Sequence, residues 1–166
     1  MNYENLLITT EQVEKYAKQY YNIDAKASVL GGYEDFNFKL KTETNQVYIL
    51  KISRGNVAID WLRFQTSMLL YLAKSDLPIQ LPQPIKNLQE QFYFSIEDEN
   101  KVTRWIRMNS WVDGNMIFDA KYHATDLLIN WGKTCGLLNK ALMDFDDSAA
   151  HISHDWDLSK ALINRK

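Results

Sequence analysis

The stretch Val47-Tyr48-Ile49-Leu50-Lys51-Ile52 places one lysine inside a run of strand-forming apolar residues. β-Branched and aromatic residues favour strands, so the stretch predicts a β-strand. Side chains repeat every two residues along a strand, and Lys51 therefore shares a face with Val47 and Ile49. A buried ammonium is costly unless it meets an opposite charge, which makes Lys51 the first candidate for a functional residue.

Two interpretations of Lys51 stay open at this point. An ammonium beside an apolar shelf suits a nucleotide, with the base on the shelf and the phosphates at the charge. A lysine on an edge strand can instead extend its amine into solvent along its own aliphatic stem. Only the neighbouring sequence can favour one of these interpretations over the other.

Strand patterns continue on both sides of this stretch. Lys26 to Leu30 is a short strand candidate, and Asn37 to Thr42 alternates apolar and basic residues as a half-buried strand does. Two later strands are predicted at Phe92 to Ile96 and at Val102 to Trp111. With the strand that carries Lys51, these segments predict a five-stranded antiparallel sheet.

Helical periodicity marks three further segments. The first runs from Glu11 to Tyr21, with Gln12 placed to complete a capping box on Thr9. Apolar residues also recur at three- and four-residue steps from Ala58 to Lys74 and from Tyr122 to Met143. Strands, a helix and more strands predict an α+β domain in which a helix packs across the sheet.

The chain divides near Asp113-Gly114, where the predicted sheet ends and the helical part begins. We therefore predict one unit over residues 1–114 and a second over 115–166. Within the first unit, Pro78, Pro82 and Pro84 exclude a helix, and we expect an extended linker there.

Composition excludes several classes of function. The 166 residues carry a net charge of −2 and no basic stripe, so nucleic acid is not an expected partner. Neither a signal peptide nor an apolar run of roughly 20 residues is present, and we expect a cytoplasmic protein that does not bind a membrane. Cys135 is the only cysteine, and we expect a buried, inert thiol. His151 and His154 lack a second pair of ligands, so no metal site is predicted.

A glycine turn, Leu30-Gly31-Gly32-Tyr33-Glu34-Asp35-Phe36-Asn37, precedes the strand that carries Lys51. Backbone amides next to glycine can approach phosphate oxygens, as in the glycine-rich loop of kinases. A plain hairpin turn would show the same pattern. The acidic pair Glu34-Asp35 also places negative charge where phosphates would lie, which counts against a tight phosphate cradle.

Four motifs in this order resemble the aminoglycoside phosphotransferase family, and the last of them looks most like its hydroxylysine kinase branch. The resemblance covers roughly residues 25 to 160, and none of the motifs is specific alone. The motifs are the glycine turn with the strand ending at Lys51, "LRFQTSMLLYLAKSDLPIQLPQP" (62–84), "TRWIRMNSWVDG" (103–114) and "GKTCGLLNKALMDFDDSAAHISHDWDL" (132–158).

The resemblance implies a protein-kinase-like N-terminal lobe, with a five-stranded sheet and helix C, followed by the first helices of a truncated C-terminal lobe. It implies ATP and magnesium as cofactors in the full-length enzyme. The reaction would be transfer of the ATP γ-phosphoryl group to a hydroxyl of a small amine-bearing molecule. Hydroxylysine-like, aminoglycoside-like and choline-like acceptors all fit this description.

The resemblance also implies a set of nucleotide-binding residues. Lys51 would pair with the α- and β-phosphates of ATP, beneath the glycine turn. Ile49 would touch the adenine, and the backbone around Asn109 would supply hydrogen bonds to it from the hinge between the lobes. The full set is Lys51, Gly31, Gly32, Asn37, Ile49, Gln65, Met108, Asn109 and Ser110.

One member of this set departs from the family pattern. Family members usually hold the lysine with a glutamate on helix C, and Gln65 takes that place here. A neutral amide can accept a hydrogen bond from the ammonium of Lys51, but it supplies no ion pair. We interpret the glutamine as a trait of the subfamily.

The catalytic part of the family pattern is missing from the sequence. The family's His-Gly-Asp-x-x-x-x-Asn loop and a later magnesium-binding Asp follow a Trp-Asp-Leu segment, which is Trp156-Asp157-Leu158 here. No stretch of the 166 residues offers that loop, so we predict that the chain alone is inactive as a kinase. The alternative is a non-catalytic binding or interaction domain with a kinase-like fold, which Gln65 and Glu34-Asp35 favour.

The apolar stripe of the helix at 122–143 would be covered by later helices of a complete enzyme. Left open, it forms an apolar patch, and such patches drive association. We therefore predict a homodimer that packs through this helix.

Overall fold

The computed structural model describes residues 8–151, apart from 56, 120 and 123. All five predicted strands are present, together with a short additional one. In chain order the elements are α1 (Thr10–Tyr21), β1 (Lys26–Leu30), β2 (Asp35–Lys41), β3 (Val47–Ser53), α2 (Ile59–Leu72), β4 (Pro84–Ile85), β5 (Tyr93–Glu97), β6 (Thr103–Ser110) and α3 (Thr125–Ala141), with 3₁₀ turns at Ile117–Asp119 and Ser148–His151.

The strands form one antiparallel sheet in which β1, β2, β3 and β6 are successive neighbours. The other edge of β6 pairs with β5 and, further along, with β4. The additional strand β4 lies in the proline-rich segment for which an extended linker was predicted, and Pro84 there is the register partner of Asn109. Proline is tolerated in an edge strand, because the N–H it lacks is not needed on the outer side.

Helix α1 begins at the predicted capping box. The Thr9 hydroxyl accepts a hydrogen bond from the Gln12 amide at 3.3 Å, and the Gln12 side chain accepts one from the Thr9 amide at 2.8 Å. The helix ends at Asn22, whose φ of 53° is left-handed, a conformation that asparagine tolerates. Both ends of α1 are therefore determined by local sequence.

The hydrophobic core lies between α1 and one face of the sheet. Helix α1 contributes Val13, Ala17 and Tyr21, and Tyr20 stacks on Phe94 with ring centroids 3.8 Å apart. The helix predicted to cross the sheet was α2, but α2 contributes no residue to this core cluster, and α1 is the helix that covers it. The strand residues of the core are Phe38, Leu40, Leu50, Ile52, Phe94, Ile106 and Met108.

Helix α2 buries Leu62, Thr66 and Leu72. Its aromatic residues Phe64 and Tyr71 pack against Phe145, with ring centroids 5.9 and 5.1 Å apart. The segment that follows α3 therefore returns to α2, and this contact ties the helical part of the chain to the sheet domain.

Helix α3 is shorter than the predicted segment, and none of its residues is buried. Cys135 is exposed on it, so the expectation of a buried thiol is wrong. Within residues 8–151, leaving aside the three gaps, none of the helices has the length and apolar content needed to cross a bilayer. His154 and the segment 156–158 lie outside the described residues.

The core under α1 predicts a clear difference between two aliphatic truncations. Leu50 is fully buried, so Leu50→Ala should lower the free energy of unfolding by about 2–5 kcal/mol, because it removes packed methyl groups and leaves a cavity. The matched change Val29→Ala, at a side chain 70% exposed on β1, should cost less than about 0.5 kcal/mol. Urea denaturation of both variants checks this, and equal losses would contradict the described core.

Candidate functional site

The face of the sheet opposite α1 carries a polar row. In the strand register Asn37 lies opposite Lys51, and Lys51 lies opposite Arg107 on the other side. Directly opposed residues in an antiparallel sheet point to the same face, so these three side chains stand side by side. The neighbouring register positions Phe38, Leu50 and Met108 belong to the buried core on the other face.

Lys51 is held by an acid of the glycine-turn segment. Its ammonium lies 3.2 Å from the Asp35 carboxylate, at the first residue of β2, and its side chain is 26% exposed. Lys51 lies on an interior strand between β2 and β6. The alternative of a lysine reaching into solvent from an edge strand is therefore wrong. Lys51 is anchored, yet open enough to touch a ligand.

Asp35 has a second partner in Arg107. The guanidinium donates to both carboxylate oxygens, at 3.3 and 2.8 Å, and both residues are buried. A two-point contact of this kind fixes the plane of the carboxylate as well as its distance. Asp35 therefore presents a defined oxygen to Lys51, and its negative charge is matched by two cations.

Gln65 was expected to accept a hydrogen bond from Lys51, and the partner that it has in the structure is Arg107. The Gln65 side-chain oxygen accepts a hydrogen bond at 2.8 Å from the Arg107 guanidinium. Through this bond α2 contacts the ionic group formed by Asp35, Lys51 and Arg107. Cross-strand register decides this, because it places Arg107 beside Lys51 on the face that α2 approaches.

Sequence reasoning missed Arg107 and misjudged Asp35. Arg107 lies between Ile106 and Met108 in β6, the same placement that singled out Lys51 in β3, so a signal was available. Asp35 was counted against a phosphate cradle because its cationic partners, one of them 72 positions away, are not visible in the local sequence. One of the two features that favoured a non-catalytic domain is thereby explained.

The glycine turn is closed by side chains from β2 and from the end of β3. The Asn37 amide donates to the Gly31 carbonyl at 3.1 Å, which joins the turn to the polar row. Arg54 donates to the carbonyls of Tyr33 at 2.7 Å and Gly32 at 3.3 Å. The structure thus brings Gly31, Asn37 and Lys51 together as predicted.

Position 32 requires a glycine because the turn packs closely against β2 there. A Cβ atom there would collide with the Asn37 side chain and the Asp35 carbonyl, whereas a Cβ at Gly31 would meet no atom within 4 Å. The turn therefore sits directly on the residues that flank Lys51. Glycine is the residue that permits such a close backbone approach.

The predicted hinge residues lie inside the sheet. The Ser110 amide donates to the Gln83 carbonyl at 2.8 Å, so that donor is already used, and Asn109 is paired on both sides by Ile49 and Pro84. Met108 is fully buried on the core face. The Ser110 N–H is therefore not available to a base, while hinge hydrogen bonds from the rest of the backbone around residues 108–110 stay a prediction.

The first backbone beyond β6 belongs to Trp111. Its ring lies 4.4 Å from the Lys39 ammonium, and its indole donates to the Asp113 carboxylate at 3.0 Å. Lys39 is the register partner of Ile49, so Trp111 stands at the end of the shelf that Ile49 forms. The apolar end of the site is thereby closed by an aromatic ring.

Metal ligands are not gathered at this site. Among the residues that the structure describes, no three His, Cys, Asp or Glu side chains come together. The lysine, the glycine turn and the apolar shelf are groups that could take the phosphates and base of a nucleotide.

Comparison with solved structures shows a kinase-like fold. The chain is similar to the amicoumacin kinase hAmiN, whose structure contains AMP-PNP, Ca²⁺ and Ami, with a TM-score of 0.71 and 16% identity over 92% of this chain. It is also similar to a microcompartment-associated aminopropanol kinase, with a TM-score of 0.68 and 16% identity over 90% of the chain. The predicted α+β, kinase-like fold is confirmed.

The chain spans 46% of the length of each of these two kinases. No family model matches the sequence, and no curated protein does either. At this level of identity the likeness establishes the architecture, while the activity has to be argued from the site.

The two glycines of the turn give a matched test of the site's geometry. Gly32→Ala should lower the free energy of unfolding by about 1–3 kcal/mol, because the new methyl group forces Asn37 and the Asp35 backbone apart. Gly31→Ala should change it by no more than about 0.5 kcal/mol, since space is free there. Chemical denaturation measures both, and a costly Gly31→Ala with a neutral Gly32→Ala would refute the turn as described.

Proposed function

We propose that the chain is the ATP-binding part of a small-molecule kinase related to the aminoglycoside phosphotransferases. The observation that carries the proposal is Lys51, held at 3.2 Å from Asp35 on an open sheet face beside a close-packed glycine turn. An immobilised ammonium next to a glycine turn is the arrangement by which kinases bind the phosphates of ATP. The kinase-like fold supports the same assignment.

In this proposal the phosphates lie between Lys51 and the turn at Gly31-Gly32, and the adenine lies on Ile49. The base is bounded by Trp111, at the far end of the same face. The hinge hydrogen bonds come from the backbone of residues 111–113, because the Ser110 amide is taken by Gln83. Gly114 then marks the boundary between a nucleotide-binding unit, 1–114, and the helical unit that begins at 115.

The acceptor in the proposed reaction is a hydroxyl of a small amine-bearing molecule, such as a hydroxylysine-like, aminoglycoside-like or choline-like compound. The two similar structures are kinases whose names point to small-molecule substrates, amicoumacin and aminopropanol. A phosphorylation screen of hydroxyl-bearing amines against full-length protein, with ATP consumption as the readout, would select among these classes. We place the protein in the cytoplasm, where ATP is plentiful.

The 166 residues by themselves are proposed to bind nucleotide without transferring phosphate. Transfer requires a group that orients the attacking hydroxyl and further oxygen ligands for magnesium. The sequence contains no His-Gly-Asp loop, and the described residues bring no three metal-ligating side chains together. Magnesium would reach this chain already bound to the phosphates of ATP.

Replacement of Lys51 tests the nucleotide assignment. Mg-ATP should raise the melting temperature of the wild-type chain, and Lys51→Ala should weaken ATP binding roughly tenfold or more, because a charge-assisted hydrogen bond contributes about 1.5–3 kcal/mol. Thermal shift over an ATP titration measures both effects.

The control is Lys26→Ala, which removes an 89% exposed lysine that pairs with Glu14 at 3.1 Å on an edge strand. This variant should respond to Mg-ATP as the wild type does. Equal responses of Lys51→Ala and the wild type would remove the nucleotide assignment.

Self-association through α3 is a further part of the proposal. The helix exposes large apolar side chains along its length, with Trp131 52% exposed. When two copies cover each other's patch, this apolar surface is removed from water, which favours association. The exposed apolar side chains of α3 are Leu127, Leu128, Ile129, Trp131 and Leu137.

A charge placed in this patch should separate the dimer. Light scattering should report a dimer for the wild-type chain at high concentration and a monomer for Trp131→Asp, since a buried carboxylate would lack a partner. Lys133→Gln changes the net charge by the same amount on the same helix and should stay dimeric. A wild-type chain that remains monomeric at every concentration would contradict the interface.

A further inference from the structure

The ionic cluster of the polar face consists of Asp35, Lys51 and Arg107, with the neutral Gln65 added from α2. Two cations and one carboxylate leave a single positive charge in excess. Each contact within the cluster is short, between 2.8 and 3.3 Å. Any charge introduced on α2 at this point would therefore act on the whole cluster.

The three charged members differ in what they can reach. Arg107 is 5% exposed, and its guanidinium is occupied by Asp35 and Gln65, so it does not meet a ligand. Asp35 is likewise buried. Lys51 is the charged member of the cluster that is partly exposed on the face of the sheet. The excess positive charge is therefore accessible to a ligand at Lys51.

We propose that Asp35, oriented by Arg107, is the positioning residue for Lys51, and that α2 must present a neutral side chain to Arg107. Binding of the ATP phosphates then depends on the excess positive charge that this neutrality preserves. The inference rests on the proposed nucleotide-binding function and deepens it, since it assigns the acid that holds Lys51 to strand β2 and gives Gln65 a specific reason to be uncharged.

The proposal reverses the expectation from the family pattern. A glutamate at position 65 would be the usual residue on helix C, yet here it would place a second carboxylate beside Arg107. A glutamate would still offer an oxygen that accepts the hydrogen bond from Arg107, but its negative charge would cancel the excess positive charge of the cluster. Repulsion by this carboxylate would act on the phosphates and leave the base untouched.

The test is Gln65→Glu in the 166-residue chain, followed by NMR titration with Mg-AMP-PNP, with tripolyphosphate and with adenosine. We expect affinity for AMP-PNP and tripolyphosphate to fall roughly tenfold through the added charge, and affinity for adenosine to stay within about twofold. A purely structural role for Gln65 would instead weaken all three ligands together. The control Arg63→Gln lowers the net charge equally, at an exposed position on the same helix, and should bind as the wild type does.

The double variant Asp35→Asn with Gln65→Glu moves the carboxylate from β2 to α2 at constant net charge. If Asp35 positions Lys51, AMP-PNP binding should stay at least about fivefold below wild type while adenosine binding is kept. Wild-type affinity for AMP-PNP in either variant would overturn the inference and leave the nucleotide function standing. A wild-type chain that binds none of the three ligands would refute the proposed function itself, and the inference with it.

Discussion

The buried contact between Asp35 and Arg107 is the interaction on which the site depends. The two residues come from β2 and β6, strands that are separated by β3, and their contact therefore spans the strand that carries Lys51. Removal of one member would leave a buried charge without compensation, which costs about 3–5 kcal/mol in comparable cases. The pair orders three strands and presents one carboxylate oxygen to the lysine.

The two faces of the sheet differ in character: one is apolar and the other carries the ionic cluster. Helix α1 covers the apolar face, where Leu50, Ile106 and their neighbours form the core. The polar face carries charges that would be intolerable in that core, and α2 contributes a hydrogen bond to them through Gln65. The apolar packing and the ionic contacts therefore stabilise the sheet from opposite faces.

Much of the fold could be predicted from local patterns, and the errors have two causes. Strand β1 was predicted to the residue, and the capping box of α1 was predicted at Thr9 and Gln12, because both depend on neighbouring residues. Strand β4 was missed because proline suppresses the strand signal even at an edge that tolerates it. The exposed Cys135 was misjudged because burial depends on elements distant in the chain.

The sequence by itself determined that Lys51 shares a strand face with Ile49 and that a close glycine turn stands before it, since both follow from spacing along one segment. Only the tertiary structure decided which acid holds the lysine. Asp35 and Arg107 are 72 positions apart, and their contact exists because the register of three strands brings them to one face. Register is a property of paired strands, and no single strand contains it.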